Sequence, residues 1–313
     1  MTKQKIIIDT DPGIDDAMAI FFAGLSEKLD LVAMTSVFGN VTLNIATRNA
    51  MVLAEILNQN VPVSEGFSKP LVQSPNPVSD YVHGKEGFGD IPAHFPKEKP
   101  TNVPADKYIC DLINANIGEI ILCPVGPLTN IAMALRHDPT ITSKVKSIVI
   151  MGGGVFSGGN VTEFAEANIW NDPHAADEVF AADWEVILIG LYVTQKVVCA
   201  HSDFSKLANK APVIGGFLAQ ATDFYIKFYQ EAVGINGCQM HDPITVIATI
   251  YPDLFTYEYH PIEVCLEPSR IGETMISKDK KRRFAKVVVD VDIDAVKKIF
   301  FDTIETGDRK SVV

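Results

Sequence analysis

The sequence predicts an α/β fold: an open, mostly parallel central sheet with helices on both faces, in one domain spanning residues 1–313 with loop insertions. Three observations predict it. Short β-branched runs alternate with longer stretches of helical apolar spacing through the first 190 residues, the rhythm of β-α-β units. Turns rich in Gly, Pro and polar side chains follow the runs directly, as at the carboxyl ends of strands. Finally, 313 residues that are 47% hydrophobic suffice for a large core without covalent staples.

In chain order, Ile6 to Ile8 form a buried strand, and Ile14 to Leu25 has the apolar spacing of a helix. Leu29 to Val37 reads as a second strand ending in the turn Phe38-Gly39-Asn40. Thr42 to Leu57 reads as an amphipathic helix and Val61 to Val63 as a short strand. Residues 66–104 break the rhythm with seven prolines (70, 75, 77, 92, 96, 100, 104) and the glycine-rich stretch Val82 to Gly89. A loop of that length is usually functional or disordered.

The alternation resumes with a helix from Ala105 to Ala115, a strand from Glu119 to Pro124 and the turn Val125 to Asn130. Val145 to Met151 is a strand running into Gly152-Gly153-Gly154. That cluster lacks a following Lys-Ser/Thr and a clean G-x-G-x-x-G, which argues against a nucleotide-phosphate cradle. After Thr162 to Asn171 come a helix from Pro173 to Ala182 and a strand from Val186 to Gly190. Helices are expected over 203–210, 212–232 and 244–250. The helix over 212–232 carries an aromatic stripe (Phe217, Phe224, Tyr225, Phe228, Tyr229) of the kind that usually packs in a core. Strands over Thr256–Glu267, Glu273–Ser277 and Phe284–Asp290 and a helix over Ile293–Thr306 close the chain. The basic run Lys278 to Arg283 reads as a solvated turn.

Composition narrows the function. A net charge of −12 argues against a nucleic-acid polymer or an anionic membrane as the main partner. The five cysteines (Cys110, Cys123, Cys199, Cys238, Cys265) form no C-x-x-C pair, so neither zinc nor a disulfide framework is indicated. With no signal peptide and no apolar run long enough to span a bilayer, a cytoplasmic protein is expected.

The chemistry concentrates at the end of the first strand. Asp9, Asp11, Asp15 and Asp16 fall within eight positions, separated by Pro12 and Gly13, which force a tight turn. Helical spacing places Asp15 and Asp16 in a first helical turn, where backbone N–H groups and the dipole favour carboxylates. Four acids around one turn repel one another unless a cation lies between them, and such oxygens suit Ca²⁺ or Mg²⁺. The alternative is an acidic, solvated loop. A strand ending in D-x-D also occurs in Mg²⁺-dependent phosphoaspartate phosphohydrolases. Those need a later Lys and a second acid pair, and no convincing Asp-Asp pair ends a later strand.

The stretch Asp9-Thr10-Asp11-Pro12-Gly13-Ile14-Asp15-Asp16 resembles the N-terminal signature of the inosine–uridine preferring nucleoside N-ribohydrolase family. The resemblance continues, in family order, through Gly39-Asn40, His83-Gly84, Gly126 to Asn130, Met151-Gly152-Gly153, Glu166-Ala167-Asn168 and His241-Asp242-Pro243. It implies a nucleoside hydrolase-like sheet and Ca²⁺-dependent hydrolysis of the N-glycosidic bond of a ribonucleoside to ribose and base. It further implies that Asp11, Asp16, Asp242 and the backbone carbonyl of Val125 ligate calcium, with Asp11 also taking a proton from the attacking water. Asp15, Asn40, Asn160, Glu166 and Asn168 resemble the ribose-binding set, with Met151 beside them. His241 matches the residue that protonates or hydrogen-bonds the leaving base, and His83, Tyr225 and Tyr229 complete a base pocket. Ala167 stands where some relatives carry an aromatic, which points to pyrimidine nucleosides or a broad range. A small-molecule substrate and a homotetramer or homodimer are the partners implied. The competing expectations are the Mg²⁺-dependent phosphohydrolase and a non-enzymatic, calcium-dependent ribose or nucleoside binder.

Overall fold

β1 (Gln4–Thr10) takes the central place that its sequence demands. Ile6 and Ile8 enter one hydrophobic cluster and Ile7 the other, because successive strand side chains point to opposite faces. Such a strand must be covered on both sides, which is the condition of a parallel sheet. The computed structural model describes residues 2–279 and 281–311.

Six further strands run parallel to β1 or to its neighbours: β2 (Leu29–Ser36), β3 (Val63–Glu65), β4 (Ile120–Pro124), β5 (Ser147–Met151) and β6 (Val186–Ile189), with a late one joining β6. A separate antiparallel pair, β7 (Val198–Cys199) and β8 (Cys238–Gln239), stands apart. β9 (Phe255–Val264) and β10 (Thr274–Ile276) are antiparallel, and β11 (Phe284–Val291) is the late strand that lies parallel to β6. The nine-stranded order is β10-β9-β11-β6-β5-β4-β1-β2-β3. The expected open, mostly parallel sheet is therefore present.

That order has a functional consequence. The chain leaves β1 toward β2 and β3 on one side and later fills β4, β5 and β6 on the other. The reversal opens a crevice outside the carboxyl ends of β1 and β4, where ligands bind in open α/β sheets. Asp9 pairs with Thr35 of β2 and with Pro124 of β4, so three strand ends converge there.

The helix Ile14–Leu25 begins right after the acidic turn and is buried continuously from Ile14 to Ala23. An element apolar on all sides belongs inside, and this one packs against the helices His241–Ala248, Ile214–Ala232 and Ile293–Ser311. Its two buried acids sit at its N-terminus, beneath the crevice. Among the described residues no helix is long and apolar enough to cross a membrane. Cys110, Cys123, Cys199 and Cys238 are buried free thiols.

Several boundaries differ from expectation. The short strand expected over 61–63 runs from Val63 to Glu65, where pairing with Met34 to Ser36 fixes its register. The helix expected from 244 starts at His241 instead. The Pro243 signal misleads there: the residue before a proline avoids helical angles, but a proline in the first turn sacrifices only an orphan N–H. Residues 66–104 contain a short helix, Asp80–His83. The basic run is not simply solvated: Arg282 pairs with Asp177 at 2.8 Å and donates to the Ile262 carbonyl at 3.0 Å. Lys280 of that run lies outside the described residues.

Candidate active site

The acids after β1 are buried: Asp9, Asp11 and Asp16 are 0% exposed and Asp15 is 5% exposed. Asp242, from the first turn of the helix His241–Ala248, is 3% exposed and faces them from across the fold. Three of these carboxylates, Asp15, Asp16 and Asp242, each offer an oxygen within 4.8 Å of the others.

Local chemistry explains how each acid is held. Asp16 accepts from the Gly13 amide at 2.9 Å and the Asn40 side-chain amide at 3.1 Å, and the Thr10 hydroxyl donates to its other oxygen. One oxygen of Asp11 accepts from the Asn40 amide at 2.6 Å. Its other oxygen, Oδ1, and Oδ1 of Asp15 have no hydrogen-bond partner. Asp11 is also wedged between two glycines. A β-carbon at Gly39 would lie 2.0 Å from its Oδ2, and one at Gly126 would lie 2.6 Å from its Oδ1. The glycines after β2 and β4 are thus required by the close approach of this carboxylate.

Electrostatics make the same point. Burial, followed by the charge of Asp16, pushes Asp11 well above the ordinary carboxylate range. Burial and the neighbouring acids push Asp242 the same way and carry Asp15 to about 8. Buried carboxylates that stay unpartnered and repel one another retain protons near neutrality. A divalent cation between them removes that cost. The donor set is all oxygen, which suits Ca²⁺ or Mg²⁺ rather than zinc. The residues therefore fit a hard metal ion.

A cavity of about 350 Å³ opens above this cluster. Every site residue named from sequence lines it except Asp11 and Asp16, which lie buried at its floor. On one wall, Glu166 caps the helix Ala167–Asn171: Oε1 accepts from the Asn168 amide at 2.9 Å, and Oε2 from Gly153 at 3.0 Å and Ile169 at 3.1 Å. The Asn168 side chain donates to the Val125 carbonyl at 2.9 Å and to the Met151 carbonyl at 3.3 Å. Asn160 accepts from the Ala167 amide at 3.1 Å and is exposed at the rim.

The opposite wall carries imidazoles and phenols. His83 Nδ1 accepts from the Ile14 amide at 3.1 Å, so its proton resides on Nε2. Burial lowers its pKa to about 3. His241 bridges two hydroxyls: Nδ1 is 2.7 Å from Thr194 Oγ1 and Nε2 is 2.8 Å from the Tyr229 hydroxyl. Burial lowers its pKa to about 4. The Tyr229 hydroxyl lies 3.3 Å from that of Tyr225. The aromatic stripe of the helix Ile214–Ala232 is thus divided: Phe217 and Phe224 pack against the core, while Tyr225 and Tyr229, one turn apart, line the cavity together with Phe228.

Sequence reasoning missed Thr194, Gln195 and Gln239. Thr194 and Gln195 follow the carboxyl end of β6 at the same sheet edge as the acids, and that position was the available signal. Gln239, in the short strand β8, lines the cavity next to the histidine. Tyr81 and Phe228 form an edge-to-face pair at the mouth, with centroids 5.8 Å apart. Periodicity alone could not have joined these two.

Comparison with known proteins agrees with the geometry. The profile of a family described as "Inosine-uridine preferring nucleoside hydrolase" matches residues 6–298. Uridine nucleosidase 1 of Arabidopsis thaliana is 39% identical over 280 residues, covering 89% of this chain and 83% of the relative. An inosine-uridine preferring nucleoside hydrolase of Leishmania major is 36% identical over 312 residues, covering 96% and 98%. Among solved structures, a plant nucleoside hydrolase, the PpNRh1 enzyme, superposes with a TM-score of 0.94 at 36% identity, covering 97% of this chain and 99% of that one.

Proposed function

The chain belongs to the inosine-uridine preferring nucleoside hydrolase family and is an enzyme that cleaves the N-glycosidic bond of ribonucleosides; from that premise we propose that it does so with a bound Ca²⁺, on pyrimidine ribonucleosides or a broad range of bases. The observation that carries the proposal is the ring of buried carboxylates, with unpartnered oxygens on Asp11 and Asp15, beneath a cavity whose far wall holds neutral imidazoles and phenols.

We assign Asp11, Asp16, Asp242 and the Val125 carbonyl to the ion. Asp15 lies within the same oxygen cluster and is assigned to the sugar. When bound, the ion supplies the positive charge that lets these acids ionise together and polarises the oxygens of sugar and water that touch it.

The remaining steps belong to the protein. Asp15, Asn40, Asn160, Glu166 and Asn168, with Met151 beside them, orient the ribose. Departure of the base leaves an oxocarbenium-like sugar, as in glycoside hydrolysis generally. The surrounding carboxylates stabilise that charge in a site largely closed to solvent. Oδ1 of Asp11, which no protein donor reaches, accepts the proton released by the attacking water. The leaving base is served from the opposite wall by His241, Tyr229, Tyr225 and His83. Because burial holds His241 neutral, it gives a hydrogen bond toward the base rather than waiting as an imidazolium.

Charge separates this reading from a phosphohydrolase. Among the described residues no Lys or Arg lines the cavity, and its floor is acidic. Such a site repels a phosphate ester and accepts a neutral nucleoside. With uridine as substrate we expect reducing sugar and free base as products. The 2′-deoxy analogue should react at least about 100-fold more slowly, because a site built around a hydroxyl is left with unpaired polar groups without it. Steady-state rates on uridine, cytidine, inosine, adenosine and 2′-deoxyuridine measure this. Release of inorganic phosphate from a phosphate ester at a higher rate would overturn the reading. So would tight nucleoside binding with no turnover, the behaviour of a binding protein.

A further inference from the structure

We propose that Thr194 is a positioning residue that locks His241 in the tautomer bearing its proton on Nε2, the nitrogen turned to Tyr229. The inference rests on the role given to His241 above.

Thr194 ends the short helix Leu191–Thr194, at the carboxyl edge of β6, and is 0% exposed. Its backbone is satisfied by other groups: the amide donates to the Gly190 carbonyl at 3.2 Å, and its carbonyl accepts from Val197 at 3.3 Å. The hydroxyl is left for His241, at 2.7 Å, and among the described residues no other hydrogen bond is made by it. The same segment grips the histidine's backbone neighbour, since the Met240 amide donates to the Val197 carbonyl at 3.0 Å. One short piece of chain thus sets both the main-chain position and the ring orientation of His241.

Counting protons fixes the direction of the hydrogen bonds. The Thr194 hydroxyl has no hydrogen-bond partner but His241 Nδ1 among the described residues, so its proton is satisfied only when Nδ1 accepts. The ring proton then sits on Nε2 and donates to the Tyr229 oxygen, which leaves the Tyr229 proton free to be directed at the leaving base. His241 Nδ1 is left as an acceptor, and the Thr194 hydroxyl fills it. This arrangement satisfies the buried donors of both Thr194 and His241. In the reverse tautomer Nδ1–H points at Thr194, whose own buried proton then has no acceptor, a costly state in a dry site. The threonine therefore acts as the orienting third group behind a catalytic imidazole, here a neutral hydroxyl in place of the more usual carboxylate.

The test uses the full-length, calcium-loaded protein with ¹⁵N-labelled histidine. Long-range ¹H–¹⁵N correlation reads the tautomer of each ring, and the His241 signals are assigned by their loss in His241→Gln. The wild type is expected to show the Nε2–H form, Thr194→Val to lose that single tautomer, and Thr194→Ser to keep it. In parallel, Thr194→Val should lower kcat/KM on uridine about tenfold or more, the penalty for a catalytic histidine in the wrong tautomer. On p-nitrophenyl riboside, whose leaving group needs little protonation, the loss should stay below about threefold. Thr194→Ser should restore both to within about threefold of wild type.

An Nδ1–H tautomer in the wild type overturns the proposal, as does equal slowing of the two substrates. Should Thr194→Val fail to fold, the wild-type tautomer and Thr194→Ser decide the matter alone. A protein that releases no ribose from any nucleoside contradicts the proposed function, while its His241 tautomer is still read from the same spectra.

Discussion

Asp11→Ala is expected to abolish ribose release from uridine, by about 10³-fold or more, while leaving the fold intact. The size follows from the two tasks that meet on one side chain. Its loss removes a proton acceptor, a contribution of typically about 10²–10⁴ in rate, and also weakens the grip on the cation. Its effect on stability runs in the opposite direction to that of an ordinary core truncation. Asp11 is fully buried, one of its oxygens has no partner, and its neighbours push it toward the neutral form. Deleting it without calcium relieves a repulsive cluster, so the calcium-free melting temperature should not fall. The increase in melting temperature that calcium brings to the wild type should shrink or vanish in the variant. A variant that retains turnover above about a tenth of wild type would remove Asp11 from the mechanism.

His241→Ala has the second largest expected effect, and here its dependence on the leaving group is diagnostic. Uridine must lose a poor leaving group, and acid assistance to it is worth about 10²–10³-fold. We expect a loss of that size on uridine and below about tenfold on p-nitrophenyl riboside, whose leaving group departs unaided. Because the pKa of the imidazole is depressed to about 4 by burial, the help it gives is a directed hydrogen bond from a neutral ring through Tyr229. Equal slowing of both substrates would assign His241 to holding Asp242, its neighbour on the helix, rather than to the base.

Much of this was legible before any coordinates. The run Ile6 to Ile8 declared a strand buried on both faces, and the acids that follow it declared a crevice at its carboxyl end. Helix Ile14–Leu25 begins and ends where apolar spacing places it. What stayed hidden depends on contacts distant in sequence. Nothing about Gly39 or Gly126 states that a carboxylate must pass between them, though the structure leaves no room for a β-carbon at either. Thr194 looks like an ordinary helix-end threonine until β6 brings it to the ring of a residue 47 positions later. His83 reads as part of a proline-rich loop, yet its Nδ1 accepts from the first amide of a helix 69 positions earlier. The start of the last site helix was obscured by Pro243, whose local preference gave way to first-turn geometry.

The Tyr225–Tyr229 pair shows how a shared face decides function. The two phenols are one helical turn apart and project the same way, while Phe217 and Phe224 on the same helix pack against the core. Aromatic content alone made the stripe look like packing throughout. The polar tips of Tyr225 and Tyr229 are what set them apart from the phenylalanines, because a buried hydroxyl needs a partner.

The central claim is that acids from the two ends of the fold share one calcium ion. A crystal grown with Ca²⁺ and measured at a wavelength where calcium scatters anomalously tests it directly. The account predicts a single strong anomalous peak in contact with carboxylate oxygens of Asp11, Asp16 and Asp242 and with the Val125 carbonyl. A well-ordered site without such a peak, or an ion held elsewhere with these carboxylates left protonated, would contradict it.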